Sequence, residues 1–470
     1  MIPMTLPEIA DVVGGVVHDD PGVTVSGAAF VDSRAAELGG LFVAVVGERV
    51  DGHEYAAQAL DAGAAAMLGS RPVGLPAVVV DDPVGALAAL ARHVLSRLSQ
   101  ITVVALTGSQ GKTSTKDLLA QVLAAADTTV ATAGSFNNEL GMPLTVLRAD
   151  ARTRYLVLEM GSRGVGHLRD LCRIAPPDVA LVLNVGKAHI GEFGSQEDIA
   201  LAKGEIVDAL TEHGTAVLNL DDPFVAAMAP RSRGRVLTFG EGATSDVRLE
   251  DLRLNDLGHP SFTLAAGDDA VEVELAMLGE HHAANAAAAA AVAVAVGVPL
   301  AQIGPALGAA TTASRWRMEV HERADGVTVV NDAYNANPGS VRAALKALAA
   351  LGRRRGSRTV AVLGQMAELG ESSQEEHDAI GRLAVRLDIN RLVVVGETAR
   401  PMHLGAHLEG SWGEESTFVT DNDEALAWLR QNLRPGDVVL VKGSRAAALE
   451  TVAEALLADA SDDATKELHA

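Results

Sequence analysis

The chain has 470 residues, length for roughly two to four domains, and 48% of them are apolar against 21% charged, so several cores can be buried. Aromatic residues make up 3%, which leaves Ala, Val and Leu to fill those cores. A formal net charge of −23 argues against a nucleic-acid partner, which needs clustered Lys and Arg, but not against a small anionic substrate held at a local positive site.

Cys172 is the only cysteine, so no intrachain disulfide is possible, and a reducing, cytoplasmic location is expected. Residues 1–15 lack a basic segment followed by an apolar run, so no secretion signal is read there. The most apolar stretch, 286–298, is dominated by alanine and too short to span a bilayer; it reads as a buried helix, and no membrane insertion is expected.

From the start to residue 99, short apolar runs (41–46, 77–80) alternate with helical stretches such as 55–62, the pattern of a small α/β domain. A second segment, 100–313, opens on the apolar run 101–106 and continues with strand runs at 155–158 and 179–183. Its later runs, 236–239, 247–254 and 271–275, show period-two patterning between turn residues and predict an antiparallel insertion before the alanine-rich helix. In the third segment, 314–470, runs at 327–330, 359–363, 391–395 and 437–441 are separated by helix-length stretches, as in an open parallel sheet.

The sharpest local signal is Thr107-Gly108-Ser109-Gln110-Gly111-Lys112-Thr113, running on into Ser114. A strand run leads into it, and a helix with Leu118, Leu119, Val122 and Leu123 on one side leads away. Glycines let backbone N–H groups close on phosphate oxygens, and the helix N-terminus adds positive potential. Lys112 is positioned to neutralise the β- and γ-phosphates of ATP, and the Thr113 hydroxyl to ligate Mg²⁺. Leu106 stands where the common phosphate-loop pattern has Gly, so Gly108 and Gly111 must do the turning.

Several further motifs join this loop. They are Phe136-Asn137-Asn138-Glu139-Leu140-Gly141, Leu158-Glu159-Met160-Gly161, Asn184-Val185-Gly186-Lys187-Ala188-His189 and Ala202-Lys203-Gly204-Glu205. Later come Asn285 after His281-His282, Arg317 in Ser314-Arg315-Trp316-Arg317, and Asn331-Asp332-Ala333-Tyr334-Asn335-Ala336-Asn337-Pro338. Over essentially the whole chain this combination resembles the Mur ligase family. The resemblance implies three α/β domains: a small N-terminal domain (1–99) for a UDP-linked substrate, a central ATP-binding parallel sheet with an antiparallel insertion (100–313), and a C-terminal Rossmann-like domain (314–470).

It also implies roles. Glu159 and His189 are implied as metal ligands, with Thr113 and a carbamylated Lys203. Asn285, Arg317, Asp332 and Asn335 are implied on the nucleotide, with Asp332 at the ribose, and Asn137 and Asn138 on the substrate side. Ser33 and Arg34 of Asp32-Ser33-Arg34 can both donate to phosphate and are expected at the substrate diphosphate. Without the resemblance, Lys203 would read as a solvated helix charge and His189 as an ordinary loop histidine. His281 and His282, adjacent on one helix, point different ways and are left out of any metal site.

Within the family, Asn-Asp-x-Tyr-Asn-Ala-Asn-Pro, the 40–55 segment with Asp51-Gly52-His53, and Gly364-Gln365-Met366-x-Glu368-Leu369-Gly370 resemble one kind of member. That kind, acting as a monomer, uses ATP and Mg²⁺ to join D-alanyl-D-alanine to a UDP-N-acetylmuramoyl-tripeptide through an acyl phosphate. Gln365 replaces a commoner Asp, and Trp316 a commoner Gly. The nearest alternative adds a diamino acid to the UDP-muramoyl-dipeptide. It usually carries Asp-Asn-Pro-Arg or Asp-Asp-Pro-Asn in its last domain, whereas the Asp-Asp-Pro stretches here, 81–83 and 221–223, come too early. Folylpolyglutamate synthases usually have Gly in place of Thr113. A third reading is a P-loop nucleotide switch without ligase chemistry.

Overall fold

The computed structural model describes residues 1–186, 190–410 and 413–467. Strand Thr102–Thr107 lies inside a nine-stranded sheet, hydrogen-bonded in parallel to Tyr155–Glu159 on one side and Val179–Val182 on the other. Its side chains alternate as a pleat requires. Val103 and Ala105 pack on one face with Leu156, Leu158 and Val182, and Val104 and Leu106 on the other with Leu118, Val157 and Leu181. Both faces are covered, which is why the strand reads as an unbroken apolar run.

On the second face, helices Lys112–Ala124 and His281–Ala295 pack against each other. The run Ala286–Ala291 is buried, and its small side chains allow close approach. Pairing stays parallel outward through Thr215–Asn219 and Arg235–Gly240 to Val247–Leu254, then becomes antiparallel through Pro260–Ala266 and Asp269–Glu274. The antiparallel part is therefore a meander continuing the same sheet. The run at 236–239 lies in its parallel part, and Pro260–Ala266 is a strand that the patterning did not single out.

The N-terminal residues form a five-stranded sheet, parallel from Ala29–Phe30 through Leu41–Val43 and Ala66–Gly69 to Ala77–Val79, with Val16–His18 antiparallel at its edge. The last sheet has six strands. Five are parallel, ordered Thr328–Asn331, Val438–Lys442, Thr359–Leu363, Arg391–Val395 and Ser416–Val419, and Glu319–Glu322 pairs antiparallel on the outside. No helix among the described residues is long and apolar enough to cross a membrane.

The stretch entering the last sheet is fastened to the phosphate-loop helix by two buried charges. Lys116 Nζ lies 2.6 Å from Asp117 Oδ1 and donates to the Thr132 carbonyl at 2.8 Å. Asp117 Oδ2 accepts from Ser314 N at 3.0 Å, and Gln121 exchanges two hydrogen bonds with the backbone of Thr311. The carboxyl ends of the central and last sheets consequently face each other, where ligands collect in open parallel sheets.

Candidate active site

The loop 108–111 is shaped by Gly111 and by a neighbouring side chain. Gly111 adopts φ +80°, in the left-handed region, and a Cβ there would lie 2.6 Å from Asn285 Oδ1. Asn184 Oδ1 accepts from the amides of Ser109 (3.1 Å) and Gln110 (3.0 Å), while its Nδ2 donates to the Gln110 carbonyl at 3.1 Å. One carboxamide thus fixes the loop from below.

Above the loop a cleft of about 460 Å³ opens between the central and last sheets. Of the residues singled out in the sequence, Ser109, Gln110, Gly111, Lys112, Thr113, Asn137, Asn138, Glu159 and Lys203 line one wall, and Arg317 and Asn335 the other. Arg317 bridges the walls: its Nη2 donates to Thr113 Oγ1 at 3.1 Å, and its guanidinium lies 4.2 Å from the Tyr334 ring centre. Lys112 Nζ donates to the Gly108 carbonyl at 2.7 Å. Loss of water pulls the Lys112 pKa down, Glu159 opposes that shift and Arg317 adds to it.

Glu159 ends strand Tyr155–Glu159 and is 1% exposed. Its Oε1 accepts from Asn137 Nδ2 at 2.7 Å, and its Oε2 is buried without a hydrogen-bond partner among the described residues. A buried carboxylate oxygen left open costs free energy unless something positive meets it. With the Thr113 hydroxyl it supplies the oxygen donors that Mg²⁺ prefers, and Mg²⁺ in such sites takes its remaining ligands from phosphates and water. Among the described residues no three His, Cys, Asp or Glu side chains cluster as a complete metal cage. His189 lies outside the described residues.

Lys203 ends helix Gln196–Lys203 and is 4% exposed. Burial, reinforced by the like charge of Lys112, pulls its pKa well below the usual lysine value.

A second pocket of about 160 Å³ adjoins the cleft, sharing Gln110, Gly111, Arg317 and Ser340 with it and adding Ser114, Asn285, His281, Asp332 and Lys442. Asp332 is already engaged there. Its Oδ2 meets Lys442 Nζ at 2.6 Å, and its Oδ1 accepts from Met318 N at 3.3 Å.

Ser33 and Arg34 are not brought to either cavity. They follow strand Ala29–Phe30 in the N-terminal sheet, where Ser33 Oγ donates to Gln58 Oε1 at 3.2 Å. The Arg34 side chain is 82% exposed and bonded to both oxygens of Asp32, whose pKa it holds down to about 2. Ser135, Ser340, Arg163 and His167 also line the cleft without having been singled out in the sequence, and Asn184, quoted there only as the start of the His189 motif, is the loop anchor. Polar residues in turns gave no periodic signal.

Three family models match the chain in order: "Mur ligase family, catalytic domain" over residues 30–97, "Mur ligase middle domain" over 106–293, and "Mur ligase, glutamate ligase domain" over 316–445. The chain is 50% identical to the UDP-N-acetylmuramoyl-tripeptide–D-alanyl-D-alanine ligase of Mycobacterium tuberculosis, covering 98% of each chain. Its structure matches the UDP-N-acetylmuramoylalanyl-D-glutamyl-2,6-diaminopimelate–D-alanyl-D-alanyl ligase of Acinetobacter baumannii with a TM-score of 0.82 at 32% identity, over 97% of this chain and 98% of that one. It also matches the MurF ligase of Thermotoga maritima, solved in complex with ADP, with a TM-score of 0.78 at 32% identity, over 93% and 99%. The motifs, the two-walled cleft and these full-length likenesses agree, and the chain belongs to the Mur ligase family.

Proposed function

We propose that this chain is an ATP-dependent ligase that joins D-alanyl-D-alanine to UDP-N-acetylmuramoyl-tripeptide, giving the pentapeptide precursor of peptidoglycan, ADP and phosphate. The observation that carries the ligase reading is the single cleft in which the phosphate loop, Glu159 and Lys203 face Arg317 and Asn335 from another sheet. The substrates follow from the full-length likeness to ligases named for that reaction.

Joining a carboxylate to an amine in water is uphill, so the carboxylate must first be activated. In this reading the adenosine end of ATP enters the smaller pocket beside Asn285 and Asp332, and its phosphates lie along loop 108–113. Lys112 and Arg317 offset the charge that builds up as the peptide carboxylate approaches the γ-phosphate. An oxygen of that carboxylate bonds to phosphorus, ADP leaves, and the amine of D-alanyl-D-alanine then displaces phosphate from the acyl phosphate. Mg²⁺, held by Thr113 and the open oxygen of Glu159, would screen repulsion between the anions.

A carbamylated Lys203 belongs to the same proposal: its neutral Nζ amine bonds to the carbon of CO₂ and loses a proton, leaving a carbamate anion. Burial favours the neutral amine that this addition needs. The sequence adds His189 as a further ligand. The UDP end is assigned to the N-terminal sheet, with Ser33 and Arg34 on the diphosphate, and the chain to the cytoplasm as a monomer.

Mass analysis of the product tests the reading. A UDP-muramoyl-pentapeptide formed from the tripeptide, D-alanyl-D-alanine and ATP is expected. Product only from the UDP-muramoyl-dipeptide and a diamino acid would move the chain to the preceding step, and ATP binding without either product would favour the nucleotide switch. For the lysine, Lys203→Ala should lose activity that short carboxylates partly restore; no restoration in a folded variant would count against the carbamate.

A further inference from the structure

The cleft concentrates positive charge in an acidic protein. Apart from Lys203, which the ligase reading makes a carbamate, four cationic side chains line it (Lys112, Arg163, Arg317 and Arg445) against the carboxylates of Glu159 and Glu368, in a chain of net charge −23. Three of the four are occupied. Lys112 is bonded within the phosphate loop, Arg317 to Thr113, and Arg445 to Glu450. The Arg163 guanidinium has no hydrogen bond or ion pair among the described residues, and its side chain is exposed to the cleft.

Arg163 is nevertheless held in place. It sits in the turn between Glu159 and helix His167–Ile174. Its backbone N–H donates to His167 Nδ1 at 3.3 Å, and Ser162 Oγ donates to the Gly164 carbonyl at 3.2 Å. The buried Glu205 carboxylate accepts from the amides of Gly166 and Arg169, tying the turn to the segment that follows Lys203. Arg163 does not line the nucleotide pocket. A fixed turn thus presents an open, planar double donor to the cleft, outside the smaller pocket assigned to the nucleoside.

We propose that Arg163 binds a carboxylate of the acceptor peptide other than the one that reacts. The inference rests on the ligase reading above. A guanidinium fork matches a carboxylate in two parallel hydrogen bonds, and ATP has cations of its own at Lys112 and Arg317. An acceptor of the alanyl-D-glutamyl-2,6-diaminopimelyl kind, as named for the Acinetobacter baumannii ligase, offers two candidates. One is the free carboxylate of the glutamyl residue and the other the second carboxylate of the diaminopimelyl residue.

The test measures steady-state kinetics of the full chain, wild type, Arg163→Ala and Arg163→Lys, with UDP-muramoyl-tripeptides ending in diaminopimelate or in lysine. Arg163→Ala should raise KM for the acceptor about ten- to a hundredfold, the range for a hydrogen bond to a charged group. KM for ATP and kcat should stay near wild type, and Arg163→Lys should recover part of the loss. A rise with both acceptors assigns the glutamyl carboxylate; a rise with the diaminopimelate acceptor alone assigns the side-chain carboxylate. Unchanged acceptor KM for both in Arg163→Ala overturns the proposal while leaving the ligase reading intact. A wild-type chain that makes no pentapeptide from either acceptor overturns the ligase reading instead.

Discussion

Gly111 is where a single atom decides the most. Its φ of +80° already disfavours any side chain, and a Cβ would meet Asn285 Oδ1 at 2.6 Å. Gly111→Ala should cost about 1–3 kcal/mol in unfolding free energy and weaken nucleotide binding, since loop and alanine-rich helix must separate. Denaturant unfolding with an ADP titration reads both; a variant with unchanged ADP affinity would show that this contact does not shape the loop. Lys112→Ala removes the loop's cation and leaves its backbone free to fold. Turnover should fall by about 10²–10³-fold, the scale for losing one transition-state charge partner, with an unchanged circular dichroism spectrum. Turnover near wild type would remove the phosphate loop from the chemistry.

These residues were legible because Gly-x-x-Gly-Lys-Thr between a strand and a helix is a local pattern. Asn184 was not. It acts 74 residues away in sequence from Gln110, and only the parallel pairing of Val179–Val182 with Thr102–Thr107 brings it beneath the loop.

At the scale of elements, the phosphate-loop helix does more than its apolar stripe suggested. Lys116 and Asp117 are 2% and 6% exposed and link this helix to Thr132 and Ser314. Removing one partner of a buried pair strands the other charge, so Asp117→Ala should destabilise by about 3–5 kcal/mol, read as a lower melting temperature. A loss below 1 kcal/mol would mean that Lys116 finds compensation elsewhere.

Helix His281–Ala295 carries a pH dependence of its own. Burial lowers the His281 pKa to about 4, with Asp332 opposing and Lys442 adding to the shift; burial and His281 hold His282 well below the usual value. An unfolded chain binds these protons near pH 6.5; the folded chain binds that of His281 only at about pH 4 and keeps that of His282 off until well below pH 6.5. Stability is therefore present above pH 6.5 and is lost as pH falls through that window. Melting curves between pH 7.5 and 5 should show the loss, reduced in His282→Gln; an identical slope in the variant would place the proton uptake elsewhere.

For the whole molecule, alternation of strand and helix runs made the α/β sheets readable, because a parallel strand buried on both faces is an apolar run of fixed length. Strand order was not readable. The change from parallel to antiparallel at Val247–Leu254 depends on which edge the chain returns to, and the period-two pattern is the same in 236–239, before that change, as in 271–275, after it. Nor did sequence alone show that Arg317, reached through the Ser314 fastening, would bond to Thr113 across the cleft. That contact joins the two walls.

The central claim is that this cleft activates a peptide carboxylate by phosphoryl transfer from ATP. An acceptor tripeptide labelled with ¹⁸O in its reacting carboxylate, turned over with ATP and D-alanyl-D-alanine, tests it directly. One labelled oxygen should appear in inorganic phosphate for each pentapeptide formed, because the acyl phosphate gives up the carboxylate oxygen when the amine displaces phosphate. Pentapeptide with unlabelled phosphate, or with label in a nucleoside monophosphate, would contradict the account.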